Sequence, residues 1–334
     1  MEILLAMPLL ISFVLAILVL PKWIKTCRKV GLLWEDMNKF DKPKNVAASG
    51  GLVVIMAFVL GVLFYVAIRT FTKNAVQVNL QIFALLSMIL ILAVIGLTDD
   101  LLGWKHGGLS KRFRVFLALV ASIPLVVIGA GSHMVSLPFF GFVGLGLIYT
   151  AIIIPLAIAA AATTYNFLAG FNGLEAGQGI IILSFLSFVA YATGSAWLAL
   201  IGLIMVASLI GFLIFNWSPA RVFPGDILTY SVGALIAGMA ILGNFEKIAL
   251  FVFIPYFIEV ILKLRGRLVK QSFGIPLKDG SLKMPYAKVY GLTHFSIWFL
   301  SKFKKKVYEQ DVVYLIWVFQ ILLCLVALLI FIYS

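Results

Sequence analysis

The stretch NLQIFALLSMILILAVIGLTDDLLGWK, residues 79–105, decides the fold. Residues 79–98 carry no charged side chain, a run of the roughly 20 residues that a helix needs to cross the hydrocarbon core of a bilayer. At its end stand Asp99 and Asp100. A carboxylate beside hydrocarbon is costly, and two neighbours of like charge also repel. The rest of the chain has to say what compensates them.

The same oil recurs along the sequence. Of 334 residues, 63% are hydrophobic and 12% charged, and the mean hydropathy is +1.14. Soluble domains carry about 25% charged residues, so the composition is that of an integral membrane protein. Apolar segments of spanning length fall at 3–21, 50–68, 79–98, 113–129, 142–165, 178–194, 196–215, 227–243, 245–262 and 312–333. The expectation is an all-α integral membrane protein, a bundle of about ten transmembrane helices forming a single polytopic domain over residues 1–334.

The net charge of +13 reads as topology. With the N-terminus outside, 23 of the 26 Lys and Arg residues fall in inner loops, leaving Arg69, Lys73 and Lys247 outside. Such a split places the N-terminus outside and the polar loops in the cytoplasm, and it argues against nucleic acid as a partner. The first segment, followed by Lys22, Lys25, Arg28 and Lys29, reads as a retained anchor rather than a cleaved signal peptide. Cys27 and Cys324 lie too far apart in this topology to pair.

The outer loops are minimal, whereas the inner ones carry the chemistry. Residues 22–49 and the stretch IWFLSKFKKKVYEQ within 263–311 mix Trp, Phe and Lys and read as segments lying on an anionic inner leaflet. Asp279-Gly280 marks a short hairpin. Three loops hold polar groups at helix ends: TDDLLGWKHGGLSKRFR (98–112 with its flank), TTYNFLAGFNGLEAGQG (165–177 with its flanks) and FNWSPARVFPGDILTY (216–226 with its flanks). The second offers Asn166, Asn172 and Glu175, with Gly170, Gly173 and Gly177 admitting a close backbone approach to a ligand. The third places Asp226 at or near the N-cap of the eighth span.

Carboxylates and amide oxygens without a His/Cys cluster fit Mg²⁺ or Mn²⁺ rather than zinc. Around them stand Lys111, Arg112, Arg114, Arg221, Lys263, Arg265, Arg267 and Lys270. Acid for a metal and base for phosphate, at a membrane surface, point to phosphoryl transfer onto or from a lipid. Each feature alone has a plainer explanation: Asp226 a helix cap, Asn172-Gly173 a turn, Asp99-Asp100 a solvated helix end, Glu259 a snorkelling or paired side chain. The functional case rests on all three loops sharing one face.

At these motifs the chain resembles the polyprenyl-phosphate N-acetylhexosamine-1-phosphate transferases, and most of all the branch of eukaryotic and archaeal dolichyl-phosphate N-acetylglucosamine-1-phosphotransferases. The stretches that carry the resemblance are GLTDDLLGWKH, YNFLAGFNGLEAGQG, NWSPARVFPGD and DGSLKMPYAK, of which the second is the most specific. The resemblance implies transfer of a sugar-1-phosphate from a UDP-sugar to a polyprenyl or dolichyl phosphate, with Mg²⁺ and release of UMP. It implies Asn166 and Asp226 as metal ligands and Asp99 and Asp100 as the catalytic pair that organises metal and phosphate. Asn172, Phe223 and Gly170 fall near the nucleotide, and Arg114 or Lys111 on phosphate. Glu175, Arg221, Arg265, Arg267 and Lys270 complete the set toward phosphate and sugar.

Two departures stand out. The family's eukaryotic Arg-His-Arg stretch corresponds here to the region RGRLVKQSFGIP, which has no His, and a Glu before the second span is replaced by Ala47 or Ala48. The first leaves the identity of the sugar open, and the second implies different nucleotide contacts there. An intramembrane prenyltransferase would want a further carboxylate beyond DDLLG, and an ion-coupled transporter would place its ionisable groups at the bilayer midplane. A homodimer is compatible with the sequence and not specified by it. The expected location is the cell membrane with a cytoplasmic active site; the endoplasmic reticulum membrane is the alternative.

Overall fold

The computed structural model describes residues 2–72, 78–131, 134–137 and 141–331. Lys73 and His133 in the expected outer loops, and the end of the last expected span at 332–333, lie outside the described residues.

The chain opens with α1 (Glu2–Val30), which stays helical past Lys22, Trp23 and Ile24, so the start of the loop expected at 22–49 is helix. A two-stranded hairpin follows, β1 (Leu33–Glu35) antiparallel to β2 (Lys44–Ala47). The indole of Trp23 donates to Ala48 O (2.9 Å), so this aromatic ties α1 to the hairpin. Next come α2 (Gly51–Phe71) and α3 (Asn79–His106). Helix α3 continues beyond the hydrophobic run through both aspartates, and Gly107 caps it in the left-handed region. Asp99 and Asp100 therefore lie on a helix and not in the loop expected at 98–112, and their side chains diverge by about 100°.

Two of the expected spans are broken, both at proline. Residues 113–129 form α4 (Lys111–Ala121) and α5 (Ile123–Val127), with Pro124 opening the second piece. Residues 245–262 likewise divide into α11 and α12 at Pro255, described below. A proline lacks the N–H that a continuing helix needs and clashes with the preceding turn.

Strands β3 (Met134–Leu137) and β4 (Gly141–Gly144) pair antiparallel. The chain then runs through α6 (Gly146–Ile148) and a π-helical turn at Tyr149–Ile153 into α7 (Ile154–Tyr165), whose second residue is Pro155. Helices α8 (Leu174–Ala192) and α9 (Ala196–Asn216) form a hairpin. They are followed by α10 (Gly225–Gly243), α11 (Glu246–Val252) and α12 (Ile254–Arg265). A hairpin of β5 (Ile275–Pro276) and β6 (Leu282–Lys283) turns at Asp279-Gly280, as expected. It leads to α13 (Leu292–Leu300) and α14 (Glu309–Phe331).

This is an all-α integral membrane protein. Among the described residues, eight helical segments are long and apolar enough to cross a membrane unbroken: α1, α2, α3, α6–α7 taken together, α8, α9, α10 and α14. At the centre stands α10, in which every residue from Ile227 to Leu242 is buried. It packs against α3, α7, α2 and α8. Small residues set these distances. A Cβ on Gly96 of α3 would come 2.5 Å from Ile227 N, and one on Gly233 of α10 would come 2.5 Å from Ala161 O of α7. Backbones that close gain dispersion contacts, which drive helix association in lipid where the hydrophobic effect does not. The bundle thus brings the C-terminal ends of α3 and α7 against the N-terminal end of α10.

Candidate active site

At that junction lies a cavity of about 610 Å³. Of the residues expected in the site, the structure brings nine to its wall: Asp99, Asp100, Arg114, Asn166, Gly170, Asn172, Glu175, Phe223 and Asp226.

The compensation of the two aspartates can now be followed atom by atom. Asp99 Oδ1 accepts from the Leu109 N–H (2.6 Å), and its Oδ2 lies 2.9 Å from Arg114 Nη1. Arg114 stands in the first turn of α4, which Ser110 caps by accepting from Phe113 N–H. Its Nε donates to Leu109 O (3.0 Å), and its Nη1 also lies 3.5 Å from Asp226 Oδ2. One guanidinium therefore neutralises carboxylates from two helices.

Asp100 points the other way. Its Oδ1 accepts from the Asp226 N–H (2.7 Å), at the N-terminus of α10, where free amides and the helix dipole favour an anion. Its Oδ2 is buried and has no hydrogen-bond partner among the described residues. Gly225 makes this approach feasible. It takes φ +74°, and a Cβ there would overlap Asp100 Oδ2. Only glycine satisfies both constraints.

Asp226 does not cap its own helix, contrary to the plainer sequence reading. Pro224 occupies the N-cap position, and the Asp226 side chain turns to Asn166 at the end of α7, whose Nδ2 donates to Asp226 Oδ1 (2.9 Å). Phe223 is fixed by backbone pairing across to the segment before α2. Its N–H donates to Ala47 O (2.8 Å), and its carbonyl accepts from Gly50 N–H (2.8 Å).

The turn 170–175 is held by its own carboxylate. Glu175 Oε1 accepts from Gly170 N–H (2.9 Å), while Glu175 Oε2 is buried without a partner among the described residues. Gly170 takes φ +102°, and a Cβ there would stand 2.7 Å from the ring of Phe273. Glu259, also buried, pairs with Lys263 (3.7 Å) and accepts from Leu292 N–H (2.6 Å). It fixes the start of α13 and is absent from the cavity wall.

The ring of cations expected around the site is thinner than the sequence implies. Lys111, Arg221, Arg265, Arg267 and Lys270 do not line the cavity. Lys111 Nζ donates to Leu268 O (3.0 Å). The Arg221 guanidinium lies 4.6 Å from the Phe215 ring, that of Arg265 5.9 Å from the Tyr290 ring, and Lys270 Nζ 4.7 Å from the Tyr286 ring. Arg267 sits in a turn at φ 56°. Arg114 and Lys44 are the basic residues on the wall among those described.

Several wall residues escape sequence reasoning: Trp34, Asp36, Ser49, Gln271 and Phe273. Behind them Asn38 and Glu309 join the same network, described below. Asp36 and Glu309 stand in segments whose Trp and Lys content reads as membrane-surface anchoring. The available signal is an acidic residue opening the last span, three positions after a lysine run.

A divalent cation fits the donor set at the junction. Among the described residues no three His, Cys, Asp or Glu side chains form a metal cage. A hard cation such as Mg²⁺ does not need one, because one or two carboxylates suffice when water and phosphate oxygens fill the remaining positions. Asp226 supplies a carboxylate, Asn166 an amide oxygen, and the unpartnered Asp100 Oδ2 a further buried anionic oxygen.

The profile of glycosyl transferase family 4 matches residues 82–244, from α3 to the end of α10 and therefore across most of the cavity wall. A relative from Sulfolobus acidocaldarius is 34% identical over 95% of this chain and 93% of its own length. The chain belongs to glycosyl transferase family 4. The Sulfolobus relative bears the provisional name UDP-N-acetylglucosamine–dolichyl-phosphate N-acetylglucosaminephosphotransferase. A Dictyostelium discoideum protein with that name in full is 30% identical over 74% of this chain and 67% of its own. A phospho-N-acetylmuramoyl-pentapeptide-transferase from Streptococcus agalactiae is 28% identical over 75% of this chain and 76% of its own. The wall residues Asp99, Asp100, Asn166 and Asp226 fall within the matched region of this chain, whereas Asp36 and Glu309 fall outside it.

A second cavity, of about 250 Å³, lies between α7, α10, α11 and α12. Its wall is almost wholly apolar and extends from Tyr149 and Glu246, which hydrogen-bond each other, to Thr164, two residues before Asn166.

Proposed function

We propose that this chain transfers N-acetylglucosamine-1-phosphate from UDP-N-acetylglucosamine to a polyprenyl (dolichyl) phosphate, giving the polyprenyl-pyrophosphate sugar and UMP. The observation that carries this reading is a cavity whose wall gathers Asp99, Asp100, Arg114, Asn166 and Asp226, with an apolar cavity whose wall ends two residues from Asn166. A nucleotide sugar and a lipid phosphate need that pairing. The names of the archaeal and amoebal relatives support the choice of sugar.

In this reading an oxygen of the lipid phosphate attacks the β-phosphorus of the UDP-sugar, and UMP leaves with the α-phosphate. Two anions must meet, so the site has to hold them in line and offset their repulsion. Asp226 and Asn166 would hold a Mg²⁺ ion, which when bound would offset the negative charge of the phosphates. Arg114, anchored by Asp99 and Asp226, presents a fixed guanidinium at the same wall. Asp100, with Oδ1 on the α10 amide and Oδ2 without a hydrogen bond among the described residues, would take the proton of the incoming phosphate. Phe223 offers its ring to the uracil. The reaction takes place at the cytoplasmic face of the cell membrane, the side favoured by the distribution of Lys and Arg.

The test is UMP release by the purified full-length protein given UDP-N-acetylglucosamine and a polyprenyl phosphate, with Mg²⁺, with EDTA, and with Asp226→Asn. Lipid-dependent release that EDTA and the substitution abolish is the expected result. Release with another UDP-sugar alone would keep the reaction and change the sugar. Silence from folded protein with every UDP-sugar and several lipids would overturn the reading.

A further inference from the structure

Behind the cavity wall, five donors converge on the single carboxylate of Glu309. They are the Asn172 N–H (2.9 Å) and Asn38 Nδ2 (3.4 Å) on Oε1, with Lys39 Nζ (2.5 Å), Asn172 Nδ2 (3.3 Å) and Ser218 Oγ (3.3 Å) on Oε2. Asp36 Oδ2 takes Asn172 Nδ2 as well, at 3.0 Å. The same residues join loops distant in sequence: Asn38 Nδ2 donates to Gly170 O (2.9 Å), and Asn38 Oδ1 accepts from Gly274 N–H (3.2 Å). Asp36, Asn38, Asn172 and Glu309 are all buried. Asp36 and Asn172 line the cavity; Glu309 and Asn38 do not.

This arrangement settles which way the Asn172 amide faces. An ionised carboxylate only accepts, so the atom between Asp36 and Glu309 has to be the NH₂ group. Its two hydrogens match the two carboxylates. The remaining side-chain atom, Oδ1, takes no hydrogen bond among the described residues, and it is not one of the buried polar atoms left without a partner. The cavity is therefore offered an acceptor at this point, with no donor from the same side chain.

We infer that Asp36 and Glu309 are positioning residues that turn the Asn172 amide so that the site reads the nucleobase by demanding a donor, the N3–H of uracil, and rejects cytosine, whose N3 offers a lone pair in the same place. The inference rests on the uridine-nucleotide reading above and deepens it by assigning base discrimination to two carboxylates, one of which never touches the ligand. A site built to bond a donor discriminates strongly, because the wrong ligand leaves its acceptor unpaired. Glu309→Gln replaces one acceptor oxygen by an NH₂ group facing the converging donors, so the Asn172 amide loses its fixed sense.

The experiment measures binding of UMP and of CMP to the full-length protein in lipid nanodiscs, by calorimetry or competition, for wild type, Glu309→Gln and Asp36→Asn. Wild type should prefer UMP by about tenfold or more, and each variant should bring the ratio of the two affinities close to one. The KM for UDP-N-acetylglucosamine should rise in both variants relative to the KM for the lipid phosphate. Among the described residues the Asp36 side chain accepts from Asn172 Nδ2 and the Asn38 N–H alone, so Asp36→Asn carries the test if Glu309→Gln folds poorly. A variant whose melting temperature falls while its UMP:CMP ratio stays within about twofold of wild type would overturn the inference, leaving Glu309 a structural anchor. Wild type that binds UMP and CMP equally would overturn it too. Wild type that binds neither, nor UDP-N-acetylglucosamine, would overturn the uridine-nucleotide reading itself.

Discussion

Arg114→Met tests the electrostatics of the site most directly. The substitution removes a cation 2.9 Å from Asp99 Oδ2 and 3.5 Å from Asp226 Oδ2, together with a hydrogen bond to Leu109 O. The Asp99 side chain is 4% exposed and that of Arg114 27%. Removing one partner of a buried ion pair costs about 3–5 kcal/mol, and the partial exposure of Arg114 places this case at the lower end, about 3 kcal/mol. At ~2–4 °C per kcal/mol, the melting temperature should fall by about 6–12 °C. UMP release should drop by about 100-fold or more, the order seen when a fixed donor to a developing charge is lost. The decisive measurement is a double-mutant cycle with Asp99→Asn, read by thermal melts of the purified protein in one detergent. Asp99→Asn removes the charge that Arg114 compensates, so the double variant should be more stable than the sum of the single effects predicts, by about 1.5–3 kcal/mol. Additivity to within ~0.5 kcal/mol would refute the claim that Arg114 and Asp99 act as a pair.

Gly225→Ala forces a Cβ onto Asp100 at a backbone angle of +74°. The left-handed conformation alone costs an alanine about 1–2 kcal/mol, and the overlap should push Asp100 off the α10 amide, so both melting temperature and UMP release should fall; an active, equally stable variant would show that the Asp100 contact is dispensable. Ala157→Phe narrows the apolar cavity of about 250 Å³, and steady-state kinetics should show a raised KM for the lipid phosphate with that for the nucleotide sugar unmoved. His294 is buried, and burial, helped by the nearby Lys263 charge, pushes its imidazole down to about 4 from an unfolded value near 6.5. Between those values the unfolded chain binds more protons, so stability should fall as pH drops from about 6.5 toward 4. His294→Phe should flatten that part of the melting-temperature profile, and an equal decline in the variant would assign it to other groups.

Much of the fold is legible in the sequence because a bilayer accepts few solutions. Uncharged runs of spanning length, such as 79–98 and 196–215, have to be helices, since every backbone polar group must be satisfied within the segment. The motif residues follow from the same logic: carboxylates and amides that close on apolar runs have to face one another or water. This is why Asp99, Asp100, Asn166, Asn172, Glu175 and Asp226 are found on one wall. Less was legible where proline acts within hydrophobic segments. Pro124 and Pro255 break two expected spans, whereas Pro8 and Pro21 leave α1 helical, and hydropathy does not separate these cases.

By itself, the sequence determined a membrane-embedded helical bundle with an acid–amide cluster at one end, because hydrophobic length and the cost of bare charge are local properties. Which partner each charge takes was decided only by the tertiary structure. Lys111, Arg221, Arg265 and Lys270 read as site cations because a loop's net charge carries no direction, yet they turn to rings and carbonyls elsewhere. Asp36 and Glu309 read as surface residues because each stands among lysines and aromatics, yet they meet at Asn172 across more than 130 residues of chain. Hydrogen bonds are short-ranged and directional, so partners that far apart in sequence are known only once the helices have packed.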